Sequence, residues 1–209
     1  MGAITLNEEK RRELGNIIKK KGIVVGDNPI ELSSGDKTFY YYNIKNVALD
    51  PTGSSLIGDL GYEIVSSKWG AKSVGGLEIG AIPIAVSICM KSENAIQAFF
   101  VRKNVKTHGL QKEIEGNIKS PIVIVDDVTT KGQSVMQAIE KVRKHDLEIA
   151  GVITVVDRQS GASDLFKDNK IDFFPIFGHT YFEDYVNAMI KAKKTSATKE
   201  IKTEVYQPV

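Results

Sequence analysis

The chain has 209 residues, of which 42% are hydrophobic and 26% charged, and its formal net charge is +2 at pH 7. This size predicts one domain with a flanking segment rather than two full domains, and the composition is ordinary for a globular protein. The nearly balanced charge gives no reason to expect a nucleic-acid partner, and no apolar run approaches membrane-spanning length. The N-terminus lacks a signal-peptide core and the lone Cys89 excludes an intrachain disulfide, so we expect a cytoplasmic protein.

The N-terminal quarter of the chain predicts a helix and a hairpin. Helical spacing of apolar residues predicts a helix over Leu6–Lys21. Strands are expected at Ile30–Ser34 and Thr38–Ile44, joined by a turn at Gly35-Asp36. Because this part does not share the regular alternation that follows it, we expect residues 1–48 to form a small separate lid.

The remainder of the chain predicts alternating strands and helices. The expected strands are Ser73–Gly76, Ala95–Val101, Ile122–Val125, Ile149–Val156 and Phe173–Ile176. The expected helices are Pro51–Trp69, Pro83–Lys91, Ser134–Lys144, Ala162–Asp168 and Tyr181–Lys193. This alternation predicts an α/β domain over residues 49–194, with a mainly parallel central sheet flanked by helices. Residues 195–209 are expected to form a polar, frayed tail.

The most informative segment is 121–134, PIVIVDDVTTKGQS. Its apolar run, Ile122–Val125, predicts a buried strand, and two adjacent aspartates, Asp126 and Asp127, follow where that strand should end. A turn rich in hydroxyl groups then leads into a helix that begins near Gln133. Because a helix N-terminus presents unpaired N–H groups that hold phosphate, and aspartates can accept hydrogen bonds from ribose hydroxyls, the segment predicts a ribose-phosphate site.

A simpler alternative is that the same segment is a strand-to-helix turn capped by aspartate and threonine side chains. Two consecutive carboxylates, Asp126 and Asp127, argue against that alternative. They repel each other, and their burial at the end of a strand is costly without a ligand or a metal. The acidic pair therefore favours a binding site.

This segment resembles the phosphoribosyl pyrophosphate motif of type I phosphoribosyltransferases: two acids, a hydrophobic residue, a variable position, Thr-Thr-Gly, another variable position and Ser. The resemblance implies their fold, with a small N-terminal hood. It implies that phosphoribosyl pyrophosphate is bound by Asp126, Asp127, Val128, Thr129, Thr130, Lys131, Gly132, Gln133 and Ser134. Lys131 departs from the motif, since a second threonine is usual at its position, and the sequence gives no reason for the departure.

A glycine-rich segment, residues 75–83 with the sequence GGLEIGAIP, connects a predicted strand to a predicted helix. Glycines allow the backbone to approach a ligand closely, and in the family the corresponding loop contacts pyrophosphate through its backbone. The alternative is a tight loop that needs glycine only for positive φ angles. The segment therefore adds to the motif without deciding the function alone.

The segment Arg102–Gly109 narrows the resemblance to one family. A solvated basic loop is the alternative, but the segment is similar to the mobile catalytic loop of orotate phosphoribosyltransferases. The matching residues are Arg102, Lys103, Lys106, His108 and Gly109. The resemblance implies that Arg102, Lys103 and Lys106 stabilise the departing pyrophosphate and that His108 donates a proton or a hydrogen bond to it. It also implies a homodimer in which this loop is shared across subunits.

Two further segments concern the base. Arg158 lies in a segment that resembles the family's Asp-Arg-Gln-x-Gly, and a guanidinium can pair with a planar carboxylate through two parallel hydrogen bonds. Orotate is the pyrimidine base with such a carboxylate, although a structural salt bridge is the alternative role. The segment Leu32–Asn43 resembles the orotate-side segment, but alternation allows only some of its tyrosines, Tyr40–Tyr42, to face a ligand. The residues implied to contact orotate are Tyr41, Tyr42, Thr130 and Arg158. Ser33 stands where relatives often have lysine.

Together these motifs span Leu32–Gly161 and imply an enzyme that makes orotidine 5′-monophosphate and pyrophosphate from orotate and phosphoribosyl pyrophosphate. They imply Mg²⁺ held mainly by the substrate, with Asp126 or Asp127 reaching it through water. The residues leave open a transferase for a purine or uracil, and a regulator that senses phosphoribosyl pyrophosphate while binding nucleic acid. They also leave open an association with orotidine-monophosphate decarboxylase.

Overall fold

The computed structural model describes residues 6–32, 35–104 and 112–204, with residues 196–204 as backbone alone. Ser33, Lys106 and His108 therefore lie outside the described residues. The helices are α1 Glu8–Ile17, α2 Ile44–Ala48, α3 Pro51–Trp69, α4 Ala81–Lys91, α5 Gln133–Arg143, α6 Ala162–Asp168 and α7 Glu183–Glu204. The strands are β1 Ile23–Glu31, β2 Lys37–Tyr42, β3 Ser73–Leu77, β4 Gln97–Val101, β5 Ile114–Gly116, β6 Ile122–Thr129, β7 Ile149–Asp157 and β8 Phe173–Gly178. In the part of the chain that is described, no helix has both the length and the apolar character that crossing a membrane requires.

A six-stranded sheet with the order β5-β4-β3-β6-β7-β8 forms the centre of the molecule. Its strands pair in parallel, except that β5 at one edge runs antiparallel to β4. The predicted α/β fold with a mainly parallel central sheet is therefore confirmed. The chain passes from β3 to β4 on one side and later returns to place β6 on the other side. The carboxyl ends of β3 and β6 thus flank a switch point, where open α/β sheets bind ligands.

Both faces of the sheet are buried, and β6 shows how its sequence achieves this. Val123 and Val125 belong to one core cluster, which includes Leu60 of α3. Ile122 and Ile124 belong to a second cluster, which includes residues of α5 and α6. Because side chains alternate along a strand, a continuous run of branched apolar residues supplies both clusters. Each such side chain contributes about 1.5–3 kcal/mol when fully buried, so this run holds the first half of β6 in the core.

The described part of the predicted lid contains α1, the antiparallel hairpin of β1 and β2, and α2. The prediction for the first strand was wrong, because β1 begins at Ile23 rather than Ile30. Its pairing register shifts between Val25 and Ile30, and this irregularity interrupts the alternation from which a strand is recognised. The proposed division at residues 48 and 49 stays an interpretation.

Several other elements differ from their predicted bounds. The short elements α2 and β5 were not predicted, because three to five residues show no reliable period. Strand β6 continues through the acidic pair to Thr129, so the two aspartates lie within the paired strand rather than beyond it. Helix α7 continues to Glu204, past the predicted end at Lys193. Residues 195–204 of the predicted tail are therefore helical, and they could not be recognised because they lack apolar spacing.

Candidate active site

Two adjoining cavities lie at the carboxyl ends of β3 and β6. The first has a volume of about 340 Å³, and the predicted site residues that line it are Tyr41, Tyr42, Asp126, Asp127, Val128, Thr130, Ser134 and Arg158. The second has a volume of about 270 Å³, and the predicted site residues that line it are Lys103, Asp126, Val128, Thr129, Thr130, Lys131, Gly132, Gln133 and Ser134. Glu78 and Asp126 line both cavities. The structure therefore brings the predicted base-side and phosphate-side residues to one continuous site.

The turn between β6 and α5, residues 130–132, forms the phosphate side of this site and is called the phosphate turn below. Gly132 precedes α5 with φ 82°, a left-handed conformation that favours glycine, and a Cβ there would lie 3.0 Å from the Phe166 ring. Since glycine has no side chain, it cannot cap the N–H groups of the first turn. Those groups are suited to hold a phosphate group beside Gln133 and Ser134, which line the cavity.

The acidic pair is held by its own backbone and by a lysine of the lid. Asp126 Oδ1 accepts a hydrogen bond from the N–H of Asp127 at 2.9 Å, and Asp127 Oδ1 accepts one from the N–H of Val128 at 2.9 Å. Lys45 Nζ lies 3.0 Å from Asp127 Oδ2. Burial raises the pKa of Asp126 well above its usual range, and repulsion from Asp127 adds to this effect. Lys45 therefore pairs with the acidic pair on the side of Asp127.

Close packing also fixes Asp127 from the side of the glycine-rich segment. A Cβ at Gly80 would lie 2.5 Å from Asp127 Oδ1, so a larger residue there would displace the carboxylate. The backbone at Gly80 is right-handed, with φ −60°. The glycine is therefore needed for close approach, whereas the alternative that this loop requires a positive φ does not apply at Gly80.

Arg158 forms the base side of the first cavity together with aromatic rings. It is only 7% exposed, and its Cζ lies 4.4 Å from the centre of the Tyr40 ring and 5.6 Å from that of Tyr42. Its backbone N–H donates to the carbonyl of Thr129 at 2.9 Å. Its Nε is buried and has no hydrogen-bond partner among the described residues. Arg158 also lines the first cavity, so its guanidinium can donate to an acceptor on a ligand.

Two of the matching residues in the predicted catalytic loop, Arg102 and Lys103, are described and have different surroundings. The Arg102 guanidinium donates to Glu115 Oε1 at 3.0 and 3.2 Å, so its charge is engaged by β5. Lys103 lines the second cavity, and its backbone N–H donates to Glu78 Oε1 at 2.9 Å. Lys141 Nζ donates to the carbonyls of Arg102 and Lys103 at 2.6 and 3.2 Å. Helix α5, which begins at the phosphate turn, therefore also holds the start of this loop.

Lys131 forms an ion pair with Asp36 of the predicted lid. Its Nζ lies 3.0 Å from both carboxylate oxygens of Asp36, in the turn between β1 and β2. The residue that departs from the family motif thus connects the phosphate turn to the lid. Because both groups are partly exposed, the pair contributes only about 0–1 kcal/mol to stability.

Sequence reasoning missed four polar residues that support the site. Glu78 lies directly after β3, where a polar residue could have been expected to face the sheet's switch point. Lys45 lies on the unpredicted α2, and Lys141 lies within a helix where its spacing carries no signal. His179 belongs to no motif, although it contacts Tyr42 across 137 residues of sequence. These contacts depend on the fold and could not be recognised locally.

Comparison with protein-family models gave no match. The orotate phosphoribosyltransferase of Aquifex aeolicus (strain VF5) is 37% identical to this chain over 174 residues, which are 80% of this chain and 94% of that protein. A crystal structure of a phosphoribosyltransferase from Corynebacterium diphtheriae has 33% identity and a TM-score of 0.74, and covers 84% of this chain and 99% of its own. The Mycobacterium tuberculosis H37Rv orotate phosphoribosyltransferase, solved in complex with phosphoribosyl pyrophosphate, has 30% identity and a TM-score of 0.70, with 83% and 99% covered. The similarity extends over nearly the whole length of each of these proteins.

Proposed function

The chain belongs to the orotate phosphoribosyltransferase family, and from that premise we infer a pentosyltransferase that moves the phosphoribosyl group of phosphoribosyl pyrophosphate to orotate. The products are orotidine 5′-monophosphate and pyrophosphate, in the de novo synthesis of UMP. One observation carries this function: the cavity with Arg158 in its wall adjoins the cavity at the phosphate turn, and Asp126 lines both. A carboxylated base and a phosphorylated ribose can therefore be held side by side.

The acidic pair stabilises the reacting sugar. Breaking the bond between the anomeric carbon and the pyrophosphate oxygen develops positive charge on the ribose. Asp127 is held by Lys45 and by the N–H of Val128, so it provides a fixed negative charge for that sugar. Its remaining acceptor capacity serves the ribose hydroxyls. The charge is in place before the reaction, so little reorganisation is needed as the bond breaks.

The phosphate turn and the loop hold the two ends of phosphoribosyl pyrophosphate. The N–H groups of residues 130–134 hold the 5′-phosphate, as a helix N-terminus favours. Lys103 lines the same cavity and stabilises the departing pyrophosphate, with Arg102 and Lys106 adding positive charge. His108 donates a proton or hydrogen bond to the leaving group. The roles of Lys106 and His108 rest on the family resemblance.

The residues at the junction of the cavities suit Mg²⁺. Asp126 and Asp127 line the first cavity and offer carboxylate oxygens, which this hard cation prefers, while it usually keeps several water ligands. We propose that the substrate supplies most of the ligands of the ion and that Asp126 or Asp127 reaches it through water. When bound, the ion adds positive charge next to the pyrophosphate.

We expect orotate absorbance to fall when the protein is mixed with orotate, phosphoribosyl pyrophosphate and Mg²⁺. The decrease should require all three additions, because base, sugar and leaving group must be positioned together. Ultraviolet absorbance follows the reaction continuously, and chromatography identifies orotidine 5′-monophosphate as the product. No decrease over a range of pH and temperature would contradict the proposed function.

An exposed apolar surface beside the site supports the proposed homodimer with a shared loop. It surrounds a depression of about 690 Å³ between α2 and α4. Its exposed apolar side chains are Leu49, Ile79, Val86 and Met90. Ile79 lies between Glu78 of the cavity and Gly80, which packs on Asp127. A second copy that covered this surface would be close enough to contribute to the site.

We expect the double substitution Leu49→Glu and Met90→Glu to convert the dimer to a monomer. Leu49 and Met90 are each 76% exposed, and a glutamate at either position would bury its charge in the interface. Analytical ultracentrifugation measures the change. Val24→Glu is the matched control, since Val24 is an exposed apolar residue elsewhere, 45% exposed. A double variant that sediments as the unchanged protein does would exclude this surface as the interface.

Recovery of activity in mixed dimers tests whether the Arg102–Gly109 loop is shared between subunits. A His108→Ala subunit and an Asp127→Asn subunit are each expected to have strongly reduced activity alone. If the loop of one subunit completes the site of the other, mixed dimers contain one intact site and recover activity. Absence of recovery, with subunit exchange shown by mass spectrometry, would indicate that each chain completes its own site.

A further inference from the structure

A histidine that the proposed mechanism does not use lies behind the base side of the first cavity. His179 follows β8, and its imidazole stacks on Tyr40 with ring centres 5.1 Å apart and planes 7° from parallel. Its Nδ1 lies 2.8 Å from the Tyr42 hydroxyl, and its Nε2 lies 3.5 Å from the Tyr40 hydroxyl. One side chain therefore contacts both of the rings that pack on the Arg158 guanidinium.

We propose that His179 is a positioning residue that fixes these two tyrosines and, through them, the orientation of Arg158 toward the carboxylate of the base. This inference rests on the proposed function of the site. Arg158 Nε has no partner among the described residues, so packing on the Tyr40 and Tyr42 rings orients the guanidinium. If the rings move, the planar fork of donors moves with them.

The Tyr42 hydroxyl shows why an imidazole suits this position. Tyr42 is 1% exposed and also packs on Phe182, so a hydroxyl without a partner would be costly there. An imidazole nitrogen supplies that partner at 2.8 Å. The second nitrogen faces the Tyr40 hydroxyl at the longer distance of 3.5 Å. Replacement by a ring without nitrogen keeps the stacking on Tyr40 but leaves the Tyr42 hydroxyl unpaired.

The neutral form of His179 fits its surroundings better than the charged form. In the neutral form with its proton on Nε2, Nδ1 can accept the Tyr42 hydroxyl proton. When both nitrogens carry protons, Nδ1 donates to the hydroxyl oxygen instead, and the buried hydroxyl proton loses this acceptor. The titratable and charged groups around the ring are Tyr40, Tyr42, Arg158 and Glu183. Burial lowers the pKa of His179, the Arg158 charge lowers it further, and Glu183 partly opposes them. Protonation at acidic pH should therefore loosen the orientation of Arg158.

His179→Phe tests the proposal by removing both nitrogens while keeping a flat ring. We expect KM for orotate, and the orotate dissociation constant from calorimetry, to rise about tenfold, the effect of one lost buried hydrogen bond. We expect kcat and KM for phosphoribosyl pyrophosphate to change less than about twofold. His179→Asn, whose amide can accept the Tyr42 proton, should recover part of the affinity. His145→Phe is the matched control, because His145 is exposed beyond the end of α5.

The pH dependence provides a readout that a general loss of stability would not produce. As pH falls from about 7.5 to about 5.5, KM for orotate should rise more in the unchanged protein and in His145→Phe than in His179→Phe. Titration of the substrate phosphates affects all three proteins equally, so the difference reports His179. Equal affinities with the same pH dependence would overturn the proposal. Absence of catalysis in the unchanged protein would contradict the proposed function instead, while the calorimetric affinities would still report the effect of His179.

Discussion

Replacement of Arg158 by lysine should raise KM for orotate about 100-fold while KM for phosphoribosyl pyrophosphate stays within about twofold. The guanidinium is almost fully buried and packs 4.4 Å from the centre of the Tyr40 ring. Arg158 lines the first cavity, so the carboxylate of the base is the expected acceptor for its guanidinium. A lysine keeps the positive charge but cannot form two parallel hydrogen bonds. Loss of that geometry costs about 2.7 kcal/mol, in the range for charge-assisted hydrogen bonds.

Steady-state kinetics with each substrate varied in turn measures this effect. Arg158→Met is the companion variant. It removes the positive charge as well as the hydrogen-bond donors, so it should weaken orotate binding further than Arg158→Lys does. Competition with uracil identifies the recognised group, because uracil lacks the carboxylate. Discrimination against uracil should fall in both variants, and thermal unfolding shows whether they remain folded. If Arg158→Lys binds orotate with unchanged affinity, the carboxylate is recognised elsewhere.

The phosphate side of the site could be predicted because its parts are consecutive in the chain. Strand β6, the turn and α5 follow one another within residues 122–143, and each has a local signal. The branched run predicts a buried strand, and Gly132 marks the start of the helix, but the two aspartates do not mark the end of the strand, which continues to Thr129. The alternation of strands and helices predicted the parallel sheet for the same reason. The family membership that these motifs indicated is confirmed by the relatives.

The supporting contacts could not be predicted because they join distant segments. Lys45 and Asp127 are 82 residues apart, and Lys131 and Asp36 are 95 residues apart. Residues so far apart in sequence produce no local periodic pattern, and α2, which carries Lys45, is too short to show one. Arg102 was recognised from its motif, but its ion-pair partner was not, because Glu115 lies on β5, a strand that was not predicted. The Mg²⁺ ion, a cytoplasmic location and an association with a decarboxylase stay predictions.

Replacement of Asp127 by asparagine should lower kcat about 100-fold, with a smaller effect on KM for orotate. Asparagine keeps the shape that packs against Gly80, but it removes the charge that opposes the developing positive charge on the ribose. It also leaves the Lys45 ammonium without its carboxylate partner, which lies at 3.0 Å. An uncompensated positive charge then acts on the reacting sugar. Single-turnover measurements with saturating substrates report this loss directly.

The matched control for this variant is Asp172→Asn. Asp172 also pairs with a lysine, Lys68, at 2.7 Å, and it does not line the two cavities. We expect its kcat to remain within about twofold, because exposed pairs of this kind contribute little. Equal losses in the two variants would mean that removal of any such aspartate impairs the protein through its fold.

A double substitution separates the two consequences of losing Asp127. If the uncompensated Lys45 charge contributes to the loss, Lys45→Met added to Asp127→Asn should restore kcat about threefold to tenfold relative to Asp127→Asn alone. Lys45→Met alone should lower kcat, because Asp127 then loses the ion pair that fixes it. Each single substitution is thus harmful while the pair is less harmful than Asp127→Asn. If the two losses are additive, Lys45 acts independently of Asp127, and the carboxylate alone stabilises the ribose.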